Sequence, residues 1–166
     1  DYNKDYICFA GDQIGLIDKS NGNLLFKISS VKNIISVCID EKNIYAKKTN
    51  GTYYIIDIPT HCIIEKINLM GKYSEAQDFP IYLLRDGVIF DLLNLENGEL
   101  CAIKYDFYKK TQEILTIPIG SNYSCVNYVV ENEKIYLLFK ERYCKSRDII
   151  ECPYIKGKYI IDTKYD

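Results

Sequence analysis

Two segments near the start of the chain align with each other at a shift of 39 residues. The segment YICFAGDQIGLIDKSNGNLLFKI begins at Tyr6, and the segment YAKKTNGTYYIIDIPTHCIIEKI begins at Tyr45. The shift places Ile17 on Ile56 and most other apolar positions on apolar positions. A chain that repeats itself at such a period consists of similar units packed side by side. The repeat therefore limits the possible folds more than any other feature of the sequence.

Short runs rich in Ile, Val, Tyr and Thr, separated by turn sequences, predict β-strands along most of the chain. Asn50-Gly51 gives the strongest hairpin signal, and no segment of ten or more residues keeps a helical period. We predict one all-β domain over residues 1–166, made of units at about 5–29, 34–69, 79–118 and 123–164. The four strands predicted in the last unit are 123–130, 133–140, 148–155 and 158–164.

A period near 40 residues with three or four strands in each unit is typical of a β-propeller blade. Runs such as YIIDI and VIFDLL are continuously apolar, which indicates sheets that are covered on both faces. Radial stacking of sheets provides that cover. We therefore predict a small β-propeller or half-propeller of about four antiparallel blades, with a β-sandwich or open barrel as the alternative. The ring either closes within the chain or forms part of a larger propeller.

One segment also resembles a known repeat. Between Ile14 and Ile28, Asp18 follows apolar residues, Gly22 stands four residues later and Phe26 four residues further on. This pattern resembles the repeats of quinoprotein-type and WD-type β-propeller proteins, closely in this unit and loosely in the others. The resemblance implies a propeller fold. Phe26 stands near the place of the Trp that such repeats usually carry, so no cofactor or ligand follows from it.

The charge balance argues against a nucleic-acid partner. The chain has 21 Lys and Arg against 23 Asp and Glu, mixed along its length, for a formal net charge of -2. Such a chain lacks the sustained positive field that phosphate backbones require. No run approaches the roughly 18 apolar residues of a membrane span, so we expect a soluble protein. Because the chain starts at Asp1, we expect a processed or trimmed N-terminus.

The seven cysteines are an odd number and contain no CxxC pair. We predict buried free thiols where cysteines lie among apolar strand residues, at Cys8, Cys38, Cys101 and Cys125. Reduced core cysteines favour a cytoplasmic location. Cys144 and Cys152, in a polar C-terminal stretch, are the pair most suited to oxidation.

The sequence contains no catalytic or metal-binding motif. His61 is the only histidine, and its strand neighbour Cys62 should point to the opposite face, so the two cannot act as a nucleophile pair. The cysteines lack zinc-ligand spacing. Residues 18–23 lack the acidic positions of a calcium loop, and no glycine pattern fits a phosphate site. We predict no catalytic residue, no metal and no cofactor, and the sequence favours a protein that is not an enzyme.

The remaining hypothesis is a non-catalytic protein–protein interaction module that contacts its partner through tyrosines. The candidate contacts are Tyr105, Tyr108, Tyr53 and Tyr123. The polar stretch 104–110 predicts exposure of Tyr105 and Tyr108. The composition also suits an inhibitor or immunity-type protein that neutralises its partner, and the chain could form a homo-oligomer. The alternative is a carbohydrate-binding or hydrolytic propeller fragment of a larger protein, which the lack of Trp disfavours.

Overall fold

The computed structural model describes residues 1–69, 79–94, 100–117, 123–131, 134–141 and 158–162. These ranges contain 14 strands and no helix, arranged in four antiparallel sheets. In particular, they include no helix that is long and apolar enough to cross a membrane. The predicted all-β class is confirmed.

Each sheet is a meander, in which strands that follow one another in sequence are hydrogen-bonded neighbours. Sheet 1 contains β1 (Tyr6–Ala10), β2 (Ile14–Asp18) and β3 (Leu24–Ile28). Sheet 2 contains β4 (Ile34–Ile39), β5 (Asn43–Lys48), β6 (Thr52–Asp57) and β7 (Cys62–Asn68). Sheet 3 contains β8 (Tyr82–Arg85), β9 (Val88–Asn94), β10 (Leu100–Asp106) and β11 (Thr111–Ile117). Sheet 4 contains β12 (Tyr123–Glu131), β13 (Lys134–Glu141) and β14 (Lys158–Asp162).

The shift of 39 residues is a structural repeat over the last two strands of sheets 1 and 2. Ile28 pairs with Ile14 in sheet 1, and Ile67 pairs with Tyr53 in sheet 2. Both sheets carry a β-bulge at the same place, immediately before Ile17 and Ile56. These two isoleucines are therefore equivalent, as the sequence predicts. Their burial differs, however, because Ile56 is fully buried whereas Ile17 is only partly buried.

The first strand of sheet 1 departs from this shift by two residues. Tyr6 pairs with Asp18, and the equivalent Asp57 pairs with Asn43. The structural counterpart of Tyr6 is thus Asn43, and the sequence alignment of Tyr6 with Tyr45 is wrong at this strand. The reason is that the connecting turns differ in length. Three residues lie between the paired Ala10 and Ile14 of sheet 1, whereas five lie between the paired Lys47 and Tyr53 of sheet 2.

Sheet 4 contains three described strands instead of the four predicted. Tyr159 of β14 pairs directly with Leu137 of β13, so the strand predicted at 148–155 does not lie between them. Residues 142–157 are outside the described part of the chain. The β-bulges before Ser36 in β4 and before Asn127 in β12 fall at equivalent positions. Strands β12–β14 therefore correspond to β4–β6, whereas β1–β3 correspond to β5–β7.

Three clusters of buried side chains fill the spaces between consecutive sheets. Between sheets 1 and 2 the cluster includes Cys8, Leu16, Ile44 and Ile56. Between sheets 2 and 3 it includes Cys38, Tyr53, Ile89 and Tyr105. Between sheets 3 and 4 it includes Phe90, Leu92, Tyr128 and Leu137. Sheets 2 and 3 thus bury both faces, which a two-layer sandwich does not do.

The sheets are stacked side by side with their first strands close to one another. Ile81, just before β8, donates its backbone N–H to Ser36 Oγ of β4 at 3.0 Å. We call the face of a sheet that is turned toward the following sheet its forward face, and the opposite face its rear face. In the described part of the chain no cluster joins sheet 4 to sheet 1. The four sheets therefore form an open arc.

Replacing Ile56 by alanine should lower the free energy of unfolding by about 2–5 kcal/mol, because the side chain is fully buried between two sheets. Urea unfolding curves measure this loss. Ile64→Ala is the matched control, since Ile64 is 59% exposed and its truncation should change stability by about 0.5 kcal/mol or less. Equal effects of the two changes would contradict the assignment of Ile56 to the core.

Candidate interaction surface at the turn end of the sheets

Sheets 1, 2 and 3 each enter their last strand through a five-residue segment that begins with aspartate. The segments are Asp18–Gly22, Asp57–His61 and Asp106–Lys110. The last residue of each segment has a positive φ, of 73°, 58° and 56° respectively. This conformation favours glycine, so His61 and Lys110 adopt a backbone shape that residues with side chains seldom take. The three turns lie at the same end of the arc, which we call the turn end.

The aspartate fixes each turn by accepting hydrogen bonds. Asp18 accepts from the hydroxyl and the backbone N–H of Ser20 at 2.6 and 2.7 Å. Asp57 accepts from the backbone N–H of Thr60 at 2.9 Å. The bonds from Ser20 and Thr60 lower the pKa of the Asp18 and Asp57 carboxyls, because they favour the charged form. Asp106 accepts from two successive N–H groups at 3.0 and 2.9 Å.

The structure gives His61 a packing contact. Its imidazole stacks on the ring of Phe26 in sheet 1, with ring centroids 4.5 Å apart. The Cys62 thiol donates to the carbonyl oxygen of Thr60 at an S···O distance of 3.3 Å. The imidazole and the thiol thus contact different groups, Phe26 and Thr60.

Asp40 connects the first turns of sheets 2 and 3. Its carboxylate accepts the backbone N–H groups of Lys42 and Asn43 at 2.8 and 2.7 Å, and the Tyr45 hydroxyl at 2.6 Å. It also accepts the backbone N–H of Gly87, in the β8–β9 turn, at 3.3 Å. Burial and the hydrogen bond to Asp40 raise the pKa of Tyr45, so its hydroxyl remains a donor. The β4–β5 turn of sheet 2 and the β8–β9 turn of sheet 3 are therefore held together.

Tyr108 lies on top of this connection and is 63% exposed. Its ring packs against Gly87, and a Cβ atom on Gly87 would fall 2.2 Å from a ring carbon. Gly87 also has a φ of +71°, so glycine serves both the turn and the close approach of the ring. One side of the tyrosine is thus supported by the protein and the other faces solvent.

Charged residues flank Tyr108 in sequence and also flank Gly87, on which its ring lies. Arg85 and Lys109 are 64% and 70% exposed, and their nitrogens lie 3.6 and 3.9 Å from the carboxylate of Asp106. Lys110 pairs with Glu65 of sheet 2. Such exposed pairs add little stability, so their charges remain available to a partner. We define the turn surface as Arg85, Asp86, Tyr108, Lys109 and Lys110.

Two of the other candidate tyrosines are buried and do not belong to this surface. Tyr53 is fully buried, and Tyr105 is only 8% exposed, so the predicted exposure of Tyr105 is wrong. The Tyr105 ring packs edge-on against Phe107 with centroids 4.8 Å apart. The side chain of Tyr123 lies outside the described part of the structure.

The pairing of strands explains why Tyr105 is buried. It pairs with Ile89 in sheet 3 as Ile56 pairs with Ile44 in sheet 2. Both Tyr105 and Ile56 stand immediately before the aspartate that opens the turn. The charged residues in the segment 104–110 suggested an exposed Tyr105. The pattern of an apolar residue followed by the turn aspartate identifies Tyr105 as the equivalent of Ile56.

The structure also contains a buried ion pair between sheets 2 and 3 that no sequence pattern indicated. The Lys47 ammonium lies 2.7 and 2.8 Å from the two carboxylate oxygens of Asp91, and both side chains are fully buried. Lys47 also donates to the carbonyl oxygen of Phe79 at 3.2 Å. The Tyr53 hydroxyl and the Leu92 N–H donate to Asp91 as well. Burial raises the pKa of Asp91, and the nearby Lys47 charge opposes that rise.

These polar groups bond to one another inside the interface between sheets 2 and 3. Tyr53 is held by Asp91, and burial raises the pKa of its hydroxyl. Within the described ranges no group of three or more His, Cys, Asp or Glu side chains could hold a metal ion. The turn surface combines an exposed aromatic ring with exposed charged side chains, and we take it as the candidate interaction surface.

Replacing Lys47 by methionine should lower the free energy of unfolding by about 3–5 kcal/mol, because the Asp91 charge then stays buried without its cation. Loss of Lys47 raises the pKa of Asp91 further, so the native state binds a proton more tightly than the unfolded chain. Stability of Lys47→Met should therefore fall as the pH rises above the ordinary carboxyl value of about 4. Urea unfolding at pH 5 and pH 7 measures this slope.

Two controls accompany this measurement. Lys48→Met changes a neighbouring, partly buried lysine and should leave the pH dependence of the wild type. The double variant Lys47→Met, Asp91→Leu should be more stable at pH 7 than Lys47→Met alone, because it removes the uncompensated charge. A pH-independent stability of Lys47→Met would contradict this account.

Comparisons with known proteins identify the fold. No family model and no curated protein matches the sequence. The WD40 domain of Toxoplasma gondii coronin is similar in structure, with a TM-score of 0.65 at 10% identity, over 88% of this chain and 42% of that chain. The β-propeller domain of Myceliophteria thermophila Cps50 (Swd1) gives a TM-score of 0.59 at 10% identity, over 82% and 46%. The computationally designed Ika4 protein gives 0.57 at 12% identity, over 82% and 80%.

The chain thus spans less than half of the length of the first two domains that it resembles. At these identities the likeness concerns the fold alone. It agrees with the stacked meanders described above and with the WD-type pattern of the first repeat. The chain has the β-propeller fold of WD40 domains, and its four sheets are blades of such a propeller.

Proposed function

We propose that this chain is a non-catalytic propeller module that binds a protein partner through the turn surface. The observation that supports this proposal is Tyr108, which is 63% exposed yet packed against Gly87 on one side. A supported aromatic ring offers a large contact area at a low entropic cost. Tyr and Arg dominate the energetics of protein interfaces, and the turn surface combines Tyr108 with Arg85.

The charges of the turn surface specify the partner further. Its cations Arg85, Lys109 and Lys110 are balanced by the carboxylates of Asp86, Asp106 and Glu65. Charge complementarity increases the rate and specificity of association. We therefore propose that the partner presents an apolar recess for the Tyr108 ring, with charged groups of both signs around it.

We further propose that binding neutralises the partner, as an inhibitor or immunity-type protein does. Its support is compositional, because the chain is small, at 166 residues, and mildly acidic. A partner that loses its own activity when it is saturated with this chain would support the finer proposal. A partner that is bound but keeps its activity would leave only the interaction module.

The cysteines support a proposed cytoplasmic location. Cys8 and Cys38 are buried free thiols, and Cys101 and Cys125 are buried as well, as the sequence predicts. Burial raises the pKa of Cys8 and Cys38. Thiols that remain reduced in the core are expected in a reducing compartment.

Affinity purification with the full-length chain tests the turn surface. Wild-type protein should retain a stoichiometric partner from a lysate of its own cells, and Tyr108→Ala should weaken binding by about 1–2 kcal/mol or more, because it removes the aromatic anchor. Ile64→Ala, an exposed substitution on β7, is the control and should bind normally. Calorimetry with the purified partner gives the affinities. Unchanged affinity in both Tyr108→Ala and Arg85→Ala would refute the proposed surface.

Alkylation tests the state of the thiols. In the native protein at pH 8, iodoacetamide should modify the exposed Cys62 quickly and Cys8 and Cys38 slowly, because burial and a raised pKa leave little accessible thiolate. After unfolding without a reductant, Cys8, Cys38, Cys101 and Cys125 should all be modified. Peptide mass spectrometry reads both results, and a disulfide among these four would overturn the proposed reducing location.

A further inference from the structure

The rear face of sheet 1 is apolar and uncovered. Ile7 and Phe9 of β1 are 41% and 37% exposed, and Ile7 pairs with the partly buried Ile17. The Phe9 ring covers Gly15, where a Cβ atom would fall 2.1 Å from a ring carbon. An ordered apolar sheet face that is open to solvent marks an interaction site.

The internal sheets show what this face is built to contact. The register counterparts of Ile7 are Ile44 in sheet 2 and Ile89 in sheet 3, because each pairs with the residue immediately before the turn aspartate. Ile44 is fully buried and Ile89 is 1% exposed, since the preceding sheet covers each of them. The rear face of sheet 1 thus has the construction of a blade-to-blade interface, and no sheet formed by the described residues covers it.

The complementary face lies at the other end of the arc. Val129 of β12 is 49% exposed on the forward face of sheet 4 and pairs with Tyr136. Its counterpart in sheet 2 is Cys38, which pairs with Tyr45 and is 2% exposed. Cys38 is buried because sheet 3 covers it. The forward face of sheet 4 is therefore also built as a blade-to-blade interface, and within the described ranges no sheet packs against it.

The internal interfaces define how these two faces would meet. In each of them the forward face of one sheet contacts the rear face of the next. The cluster between sheets 2 and 3 contains both Cys38 and Ile89, which are the counterparts of Val129 and Ile7. If the forward face of sheet 4 packs on the rear face of sheet 1 in the same way, Val129 comes close to Ile7.

We propose that a second copy of this chain covers the rear face of sheet 1 with the forward face of its own sheet 4, and that the reciprocal contact closes a two-copy propeller. One chain carries both complementary faces, so identical copies suffice for this head-to-tail contact. Four sheets from each copy give a ring of eight blades, within the usual range of about four to eight.

The extent of the structural match agrees with this assembly. The chain follows the WD40 domain of coronin over 88% of its own length but only 42% of that domain. A ring the size of that domain would therefore take about two lengths of this chain. In agreement with this, Ile7 and Val129 stay exposed rather than meeting within one molecule. The inference does not depend on the turn surface, which lies at the ends of the sheets and not on their faces.

Light scattering coupled to size-exclusion chromatography tests the assembly. The wild-type chain should have about twice the monomer mass of 19.3 kDa. Ile7→Glu and Val129→Lys should each run as folded monomers, with dimerisation weakened by about a hundredfold or more, because each places an uncompensated charge in both interfaces. Ile64→Glu, an exposed change on β7, is the control and should leave the dimer intact. Circular dichroism verifies that each variant is folded.

Mixing the two variants tests the head-to-tail arrangement. A mixed dimer of Ile7→Glu with Val129→Lys has one unaltered interface and one in which the opposite charges face each other. The mixture should therefore regain the dimer mass, although neither variant does so alone. If sheet 1 paired with sheet 1 instead, Val129→Lys would remain dimeric, and this would overturn the proposal. A folded wild-type chain that stays monomeric up to millimolar concentration would overturn it equally.

Discussion

Coverage of each sheet by its neighbours is the constraint on which this structure depends. Sheets 2 and 3 place fully buried apolar side chains on both faces, among them Ile56, Leu92 and Leu93, and neither sheet has a polar face to present to water. A sheet of this kind is stable only as part of a stack. Stacking therefore determines the curvature of the arc and leaves the turns free at its ends.

The interface between sheets 2 and 3 adds specificity to this apolar contact. Lys47 and Asp91 face each other from the two sheets in full burial, and an apolar pair of the same size could stabilise the contact as well or better. The ion pair instead penalises any shift of one sheet along the other, because a shift would separate buried charges. Nearby, Asp40 of the β4–β5 turn accepts a hydrogen bond from Gly87 of the β8–β9 turn. The same interface therefore fixes the register of the two sheets and holds the glycine on which the Tyr108 ring packs.

Much of this architecture could be predicted from local patterns. The strands, the turn aspartates and the equivalence of Ile17 and Ile56 follow from hydrophobic patterning and from the repeat. The burial of Tyr105 and the Lys47–Asp91 pair could not be predicted in the same way, because both depend on which sheet packs against which face. Strand β1 is displaced by two residues from the shift of 39 because a turn differs in length between the two sheets, whereas the sequence alignment assumes turns of equal length. Among the candidate tyrosines, polarity of the flanking residues predicted the exposure of Tyr108 correctly and that of Tyr105 wrongly.

The meander order of the strands has a consequence for how the chain folds. Each strand pairs with the next along the sequence, so every sheet can form from local contacts with little loop-closure entropy. Sheets 2 and 3, which gain energy on both faces, are the natural nucleus, and structure can propagate outward from them one sheet at a time. In a single copy, where no partner covers them, the terminal sheets should then be the first to exchange their amide hydrogens, so the chain should open from its two ends.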